Sequence, residues 1–291
     1  MFSGSLVPII TPFKNGKIDR DGLERVIEFV LAAGSDGLIP CGTTGESATL
    51  SHEEHDEVVR WTIEIARKRV PVVAGTGSNS TAEAIRLTKS AEKAGADGAL
   101  LISPYYNKPT QEGIFQHYQS VAEASRLPLI IYNIPGRTGS KIEPVTLARL
   151  AKVPGIAGVK EATGSIETTI DIIDQAGAGF AVFSGEDLLN FPILAAGGKG
   201  LISAVANVVP KPLADMARAA RERRWEDARR IHFELLGLVK ILFIETNPIP
   251  VKTACSLMGL CSAEMRLPLT PMSDANLAKL KHVLSESGLV R

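Results

Sequence analysis

The stretch Leu127–Pro135, LPLIIYNIP, is a short apolar run bounded by proline, and a second such run, Ile156–Ala162, IAGVKEA, follows after one helix-length interval. Strands that are buried on both faces of a parallel sheet have this composition. The interval between the two runs contains Pro144, and proline suits the first position of a helix. This part of the sequence therefore predicts a strand–helix–strand unit.

The same alternation extends along the rest of the chain. Between the runs, the apolar residues of Asp19–Ala33 recur at helical spacing, and Ser51 with Glu54 and Ser80 with Glu83 fit the S-x-x-E capping box. The predicted strands are the runs Leu6–Ile10, Gly37–Gly42, Pro71–Gly77, Gly98–Pro104, Leu127–Pro135, Ile156–Ala162, Phe180–Glu186 and Gly200–Asn207.

Eight strand–helix units favour an α/β fold of the (β/α)8 TIM-barrel type, which needs about 225 residues. A doubly wound open sheet is the alternative, since alternation alone does not distinguish closed from open sheets. The even spacing of the units, and the lack of a G-x-G-x-x-G motif after the first run, favour the barrel. We expect the barrel to occupy residues 1–224 and a C-terminal helical extension to occupy residues 225–291.

Composition and charge exclude several classes of protein. The chain has 291 residues, 32 basic and 32 acidic, so its formal net charge is zero, and 45% of its residues are hydrophobic. That composition is globular and does not fit a disordered chain. A neutral chain is not expected to bind nucleic acid or an anionic membrane as its main partner. No apolar run approaches the roughly 18 residues that a membrane-spanning helix needs.

Cysteine and histidine usage predicts neither a disulfide framework nor a metal site. Three cysteines are too few for such a framework, and their spacing matches no zinc pattern. His52 and His55 lie three residues apart without a third ligand in view. The first basic residue is Lys14, so we expect no signal peptide and a cytoplasmic protein.

Lys160 is the only lysine or arginine within the eight predicted strands. Lysines are rarely buried without a reason, and desolvation lowers the pKa of an amine and makes it nucleophilic. That is what a Schiff-base enzyme requires. The alternative is a structural ion pair with Glu161, although adjacent strand residues point to opposite faces. Position alone leaves both interpretations open.

Other polar residues stand at predicted strand ends, where TIM barrels carry their active sites. The Gly42–Gly45 turn suits a carboxylate or phosphate, or it is an ordinary glycine-rich loop. Tyr132 is either a proton shuttle or a core residue. Arg137 is either a bidentate ligand for a carboxylate or a solvated surface residue.

Five motifs together resemble the dihydrodipicolinate synthase family, and the resemblance covers essentially the whole chain. The motifs are Gly42–Glu46, Pro104–Pro109, Tyr132–Thr138, Gly158–Gly164 and Asn247–Lys252. The resemblance implies a Schiff-base condensation of pyruvate with L-aspartate 4-semialdehyde, which gives 4-hydroxy-tetrahydrodipicolinate in diaminopimelate and lysine biosynthesis. It also implies a lyase that needs no metal or organic cofactor.

The resemblance assigns a role to each residue of the site. Lys160 is expected to form the Schiff base, and Tyr132 is expected to transfer protons through Thr43 to Tyr106. Tyr106 would come from the neighbouring subunit of a tight dimer, within a homotetramer built as a dimer of dimers. The expected substrate-binding residues are Thr44 for the pyruvate carboxylate, Arg137 for the semialdehyde carboxylate, and the backbones of Gly185 and Ile202.

Feedback inhibition by L-lysine is a further expectation from the resemblance. The residues that stand at the lysine-site positions are Ser47, Ala48, His52, His55, Asn79, Glu83 and Tyr105. Glu83 suits an ammonium group, although it would also complete a capping box with Ser80. One departure from the family pattern is Val205, where many members have threonine, and it affects none of these roles.

Two other functions would share part of this pattern. A related lyase, such as N-acetylneuraminate lyase or a 2-keto-3-deoxy sugar acid aldolase, would share Lys160 and Tyr132, but Arg137 favours an amino-acid carboxylate over a sugar chain. A catalytically silent ligand sensor is the second alternative. Retention of Lys160, Tyr132, Thr43 and Tyr106 together argues against it.

Overall fold

The computed structural model describes residues 2–290, and within them eight parallel strands alternate with helices around a central lumen. The strands are β1 Gly4–Pro8, β2 Gly37–Ile39, β3 Val73–Gly75, β4 Gly98–Ile102, β5 Leu129–Asn133, β6 Ile156–Glu161, β7 Ala181–Ser184 and β8 Gly200–Ile202. The helices that follow them are α1 Arg20–Ala32, α2 His52–Ala66, α3 Thr81–Ala94, α4 Gln111–Ala124, α5 Pro144–Leu150, α6 Ile166–Ala176, α7 Asn190–Ala195 and α8 Pro210–Arg221. A small hairpin, Phe13–Lys14 with Lys17–Ile18, lies between β1 and α1.

The sheet is closed. Strand order is β2-β1-β8-β7-β6-β5-β4-β3, and the two end strands meet through a parallel bridge between Leu38 and Val72. The Leu38 amide donates to the Pro71 carbonyl at 3.0 Å, and the Gly75 amide donates to the Pro40 carbonyl at 2.9 Å. These bonds join both edges, so the predicted TIM barrel is confirmed and the open doubly wound sheet is excluded.

The lumen holds its own apolar cluster, separate from the larger core between strands and helices. Its members are Leu6, Ile39, Val73, Leu100, Ile130, Tyr132, Ala181, Phe183 and Ile202. Every barrel strand except β6 contributes to this set within the described residues. Strand β6 instead places Lys160 there, as the register partner of Tyr132 on β5 and Phe183 on β7.

The predicted runs extend beyond the strands at their C-terminal ends. The clearest case is the last run, where β8 ends at Ile202 and Ala204–Asn207 forms a 3₁₀ turn. The Asn207 amide explains the difference, because its nitrogen donates to the Pro8 carbonyl at 2.9 Å and its oxygen accepts from the Ile10 amide at 3.1 Å. This buried side chain replaces the hydrogen bonds that a longer strand would make.

Of the two predicted capping boxes, the one at Ser51 and Glu54 is confirmed. The one at Ser80 and Glu83 forms only one of its two hydrogen bonds. Ser51 and Glu54 exchange both hydrogen bonds at the start of α2. Ser80 accepts from the Glu83 amide at 3.4 Å, but the Glu83 carboxylate points away from the helix end toward Ser78 and His52. Glu83 therefore does not complete a box.

Three helices form the C-terminal part of the chain: α9 Trp225–Leu242, α10 Ile249–Leu257 and α11 Asp274–Glu286. Helix α9 packs on α8, and α10 contacts the turn that follows β8. The division of the chain after residue 224 stays a prediction, and that position lies between α8 and α9. Across residues 2–290, every helix is too short or too polar to span a bilayer.

Burial of His117 makes the stability of this fold depend on pH. The ring lies on α4, buried, with Nδ1 3.0 Å from the Thr81 hydroxyl. Burial lowers the pKa of His117 from its ordinary 6.5 to about 4. Between pH 6.5 and about 4, the unfolded chain therefore binds a proton at His117 that the native protein does not bind.

We predict that the free energy of unfolding contributed by His117 is present above pH 6.5 and is lost as the pH falls toward 4. Its contribution to the slope is up to about 1.4 kcal/mol per pH unit. His117→Asn, which keeps a donor near Thr81, should flatten the slope measured by urea unfolding at several pH values. His282→Asn, at an exposed position of α11, is the control. An unchanged slope in His117→Asn would contradict the prediction.

Candidate functional site

A cavity of about 710 Å³ opens at the C-terminal ends of the strands. It brings together seven of the eight residues predicted for catalysis and substrate binding. The seven are Thr43, Thr44, Tyr132, Arg137, Lys160, Gly185 and Ile202. These residues come from five strands or strand ends, so the closed barrel is what makes them neighbours.

Lys160 projects into the lumen and is 7% exposed. Its Nζ lies 4.2 Å from the ring centre of Tyr132. Desolvation lowers the pKa of Lys160 to about 8, and the Asp187 carboxylate opposes this shift. A larger fraction of this amine is therefore neutral and nucleophilic near neutral pH than for an exposed lysine.

Glu161 does not pair with Lys160. Its side chain lies on the opposite face of β6, where it accepts from the Asn133 amide at 2.9 Å and from the Thr163 backbone at 2.7 Å. Burial raises the pKa of Glu161 above its ordinary value. The structural ion pair considered for these adjacent residues is therefore wrong.

Gly185 leaves the space that the lysine side chain occupies. A Cβ atom at this position would lie 2.8 Å from Cγ and 2.9 Å from Cε of Lys160, and 3.0 Å from Cβ of Ala162. Any other residue at the end of β7 would displace Lys160. Gly185 thus fixes the path of the amine by its lack of a side chain.

The phenol of Tyr132 is buried beside Lys160. Burial raises the pKa of Tyr132 well above its usual range, while the Arg137 guanidinium and a hydrogen bond with Thr43 act in the opposite direction. The phenol is therefore protonated at neutral pH. It is placed to give a proton to an atom bound near Lys160 and to recover it through Thr43.

Thr44 and Arg137 are connected through Asn247, which precedes α10. The Asn247 side-chain nitrogen donates to the Thr44 hydroxyl at 3.0 Å. The Arg137 guanidinium donates to the Asn247 carbonyl at 2.9 Å. The C-terminal part of the chain thus completes the cavity wall. Sequence reasoning missed Asn247 as a contact of the site, although it belongs to a motif that had been recognised.

Asp187 is a second residue that sequence reasoning missed. It is buried in the cavity wall, where Ser203 and the Asn190 amide (3.0 Å) donate to its carboxylate. Burial raises the pKa of Asp187 to about 6, against the effect of these hydrogen bonds. Following the predicted strand one residue past Glu186 would have found it.

Tyr106 does not join the other residues within this chain. It is 89% exposed, and its φ of 73° lies in the left-handed region that residues other than glycine rarely adopt. Within one chain, the Tyr106 ring is therefore open to solvent and is not part of the cavity wall.

A second cavity of about 450 Å³ lies beside the first. Six of the seven residues predicted for the lysine site line it: Ser47, Ala48, His52, His55, Glu83 and Tyr105. Asn79 is not among its lining residues, and its carbonyl accepts from the Asn107 side chain at 2.9 Å. Thr43, Tyr132 and Arg137 line both cavities.

The second cavity contains one well-placed anion and one neutral histidine. Ser78 and His52 (2.8 Å) hold the Glu83 carboxylate and keep its pKa below the ordinary value. His55 is buried, which lowers its pKa, and its Nε2 bonds the Gly75 carbonyl at 2.7 Å. Glu83 thus gives its side of the second cavity a negative charge that suits a cationic group of a ligand.

Within residues 2–290, no three histidine, cysteine or acidic side chains are grouped closely enough to hold a metal ion. The three cysteines, Cys41, Cys255 and Cys261, are free and buried.

Comparison with known proteins places this chain in a family. The model of the dihydrodipicolinate synthetase family matches residues 1–287. The chain is 54% identical over 290 residues to 4-hydroxy-tetrahydrodipicolinate synthase from Geotalea uraniireducens, with all of both chains covered. It superposes with a TM-score of 0.98, at 44% identity and complete coverage of both chains, on dihydrodipicolinate synthase from Acinetobacter baumannii complexed with pyruvate. A structure of DHDPS (dihydrodipicolinate synthase) with lysine bound comes from Cyanidioschyzon merolae. This chain superposes on it with a TM-score of 0.96 at 38% identity, and 99% of each chain is covered. Together these matches establish that the chain belongs to the dihydrodipicolinate synthetase family.

Proposed function

We propose that this protein is a Schiff-base lyase that condenses pyruvate with L-aspartate 4-semialdehyde to give 4-hydroxy-tetrahydrodipicolinate, in diaminopimelate and lysine biosynthesis. One observation carries the proposal: the desolvated Lys160 amine stands in a polar cavity beside the protonated Tyr132 phenol. The similarity to a pyruvate complex and to synthases of this name supports the choice of substrates.

The first half of the proposed reaction takes place at Lys160. The neutral amine adds to the keto carbon of pyruvate, water leaves, and an imine forms. Loss of a proton from the methyl group then gives an enamine, and the imine nitrogen serves as the electron sink. The hydroxyl of Thr44 is proposed to hold the pyruvate carboxylate. The reaction requires no metal or organic cofactor, because the protein's own amine supplies the covalent chemistry.

The second half joins the enamine carbon to the aldehyde carbon. Tyr132 gives its proton to the developing alkoxide and recovers one through Thr43. The Arg137 guanidinium, which lines the cavity, is proposed to bind the semialdehyde carboxylate. The amine of the condensed substrate then attacks the imine carbon, which closes the ring and releases Lys160.

The proposal includes the assembly, the location and the regulation of the enzyme. The proposed assembly is a homotetramer built from tight dimers. The exposure of Tyr106 supports a dimer contact at this residue, which is proposed to complete the proton relay of a neighbouring subunit. The cytoplasmic location expected from the sequence stays a prediction. L-Lysine is the proposed effector of the second cavity, where Glu83 would pair with its ammonium group.

Borohydride trapping tests the covalent step. Pyruvate with borohydride should add a reduced pyruvyl group to the peptide that contains Lys160, as mapped by mass spectrometry. Lys160→Arg should not be labelled and should lose activity by about a thousandfold or more, because a guanidinium stays protonated. Lys211→Arg, an exposed position on α8, is the control and should behave as the wild type. Labelling of another lysine, or none, would refute the proposal.

Mixed oligomers test the proposed role of Tyr106. Tyr106→Phe and Lys160→Ala should each be nearly inactive alone. Equal amounts after subunit exchange should recover about a quarter of wild-type activity, because half of the dimers are hybrids with one complete site. Exchange is followed by native mass spectrometry with one variant isotope-labelled. A fully exchanged mixture without activity would show that Tyr106 does not act across subunits.

Inhibition by L-lysine is measured at subsaturating pyruvate. Wild type should be inhibited, and Glu83→Ala should need at least about tenfold more lysine, since the ammonium group would lose a charge-assisted hydrogen bond worth about 1.5–3 kcal/mol. Glu92→Ala removes a different acidic group of α3, one paired with Arg126, and should leave inhibition unchanged. The effector assignment fails if wild type is insensitive, or if Glu83→Ala is inhibited as strongly as wild type.

A further inference from the structure

Lys252 and Glu46 form a fully buried ion pair beside the second cavity, which Glu46 lines. Nζ of Lys252 lies 2.7 Å from Oε1 of Glu46, and neither side chain has solvent exposure. The same Nζ lies 4.1 Å from the ring centre of Phe13. Removing one member of such a pair leaves a buried charge without a partner and is strongly destabilising, whereas replacing both is often tolerated. The pair thus needs an explanation other than net stability.

The backbone of Glu46 indicates that its side chain matters. Its φ of 53° is left-handed, a conformation that favours glycine or asparagine. Glu46 directly follows the Gly42–Gly45 turn that carries Thr43 and Thr44. Its second carboxylate oxygen accepts from the Arg266 amide at 3.3 Å. The carboxylate therefore fastens the end of the turn to two separate segments of the C-terminal part of the chain.

The residue two positions before α10 reaches the substrate-binding residues directly. Asn247, five residues before Lys252, donates to the Thr44 hydroxyl and accepts from Arg137. The first turn of α10 is thus held to the Gly42–Glu46 segment at Lys252, and Asn247, just before the helix, supplies the contact between Thr44 and Arg137. A shift of this helix would move both groups together.

We propose that Lys252 and Glu46 are positioning residues that hold the Thr44 and Arg137 subsites in their working geometry, without touching either substrate. The assignment of those subsites rests on the proposed function. The pair fixes the start of α10, and Asn247, two residues before that helix, contacts both carboxylate-binding groups, so the position of α10 sets the distance between them. A loosened pair should therefore weaken binding of both substrates while the chemistry at Lys160 persists.

The test uses the double variant Glu46→Gln/Lys252→Met, which removes both charges and keeps similar side-chain volumes. Single variants are compared only for stability. Glu28→Gln/Arg69→Met removes a surface ion pair between α1 and the loop after α2, and is the matched control. Hydrogen–deuterium exchange is measured for peptides covering residues 42–50 and 135–139, together with KM for each substrate, kcat, and borohydride trapping with pyruvate.

In the double variant, we expect exchange in both peptides to be at least about tenfold faster and both KM values to rise at least about tenfold. The change in kcat should stay within about threefold, and Lys160 should still be trapped at saturating pyruvate. Unchanged exchange would overturn the proposal. Faster exchange with unchanged KM values would also overturn it, because the pair would then be only structural. If wild type is not trapped by pyruvate, the proposed function fails, while the exchange result still decides whether the pair fixes the loop.

Discussion

The central constraint in this structure is a lysine amine held inside a closed barrel. Seven strands fill the lumen with apolar side chains, and the remaining strand, β6, places Lys160 beside them. A cation there is desolvated, so the neutral amine gains population and reactivity. This placement constrains two neighbouring positions. Position 185 must be glycine, because a Cβ there would overlap Lys160, and Glu161 makes its hydrogen bonds on the other face of the strand.

Lys160 and Lys252 are both buried, but their surroundings favour different protonation states of the amine. Burial lowers the pKa of Lys252 as well, but a carboxylate at 2.7 Å opposes the shift and occupies its donor. Each amine has an aromatic ring at a similar distance, Phe13 at 4.1 Å from Lys252 and Tyr132 at 4.2 Å from Lys160, so the difference lies in the carboxylate. The Asp187 carboxylate acts on Lys160 only through its charge, and its Oδ1 accepts hydrogen bonds from Ser203 and Asn190. The first arrangement favours a permanent ammonium group, whereas the second favours a free amine. Burial alone therefore does not identify a nucleophile; the contacts of the amine do.

The fold and much of the site could be predicted because both are encoded locally. Apolar runs reveal buried strands, and a cation within one run, Lys160, is conspicuous. Contacts between distant segments leave no such local signal. Asn247 meets Thr44 across 203 positions and Lys252 meets Glu46 across 206. The capping box predicted for Ser80 and Glu83 is half wrong for a related reason. The S-x-x-E spacing predicts the box, but the Glu83 carboxylate bonds Ser78 and His52, which lie outside the motif.

The shared wall of the two cavities gives a direct route for coupling between them. Thr43, Tyr132 and Arg137 line both, so a ligand in the second cavity would lie one side chain away from the reacting atoms. Coupling still requires that the ligand prefer one arrangement of that wall over another. Thr43 and Arg137 are the side chains through which such a preference would reach the first cavity, because they line both cavities, whereas Lys160 lines only the first. Regulation of this kind would therefore act through the proposed proton relay and the proposed carboxylate ligand, and it would leave the proposed nucleophile where the barrel holds it.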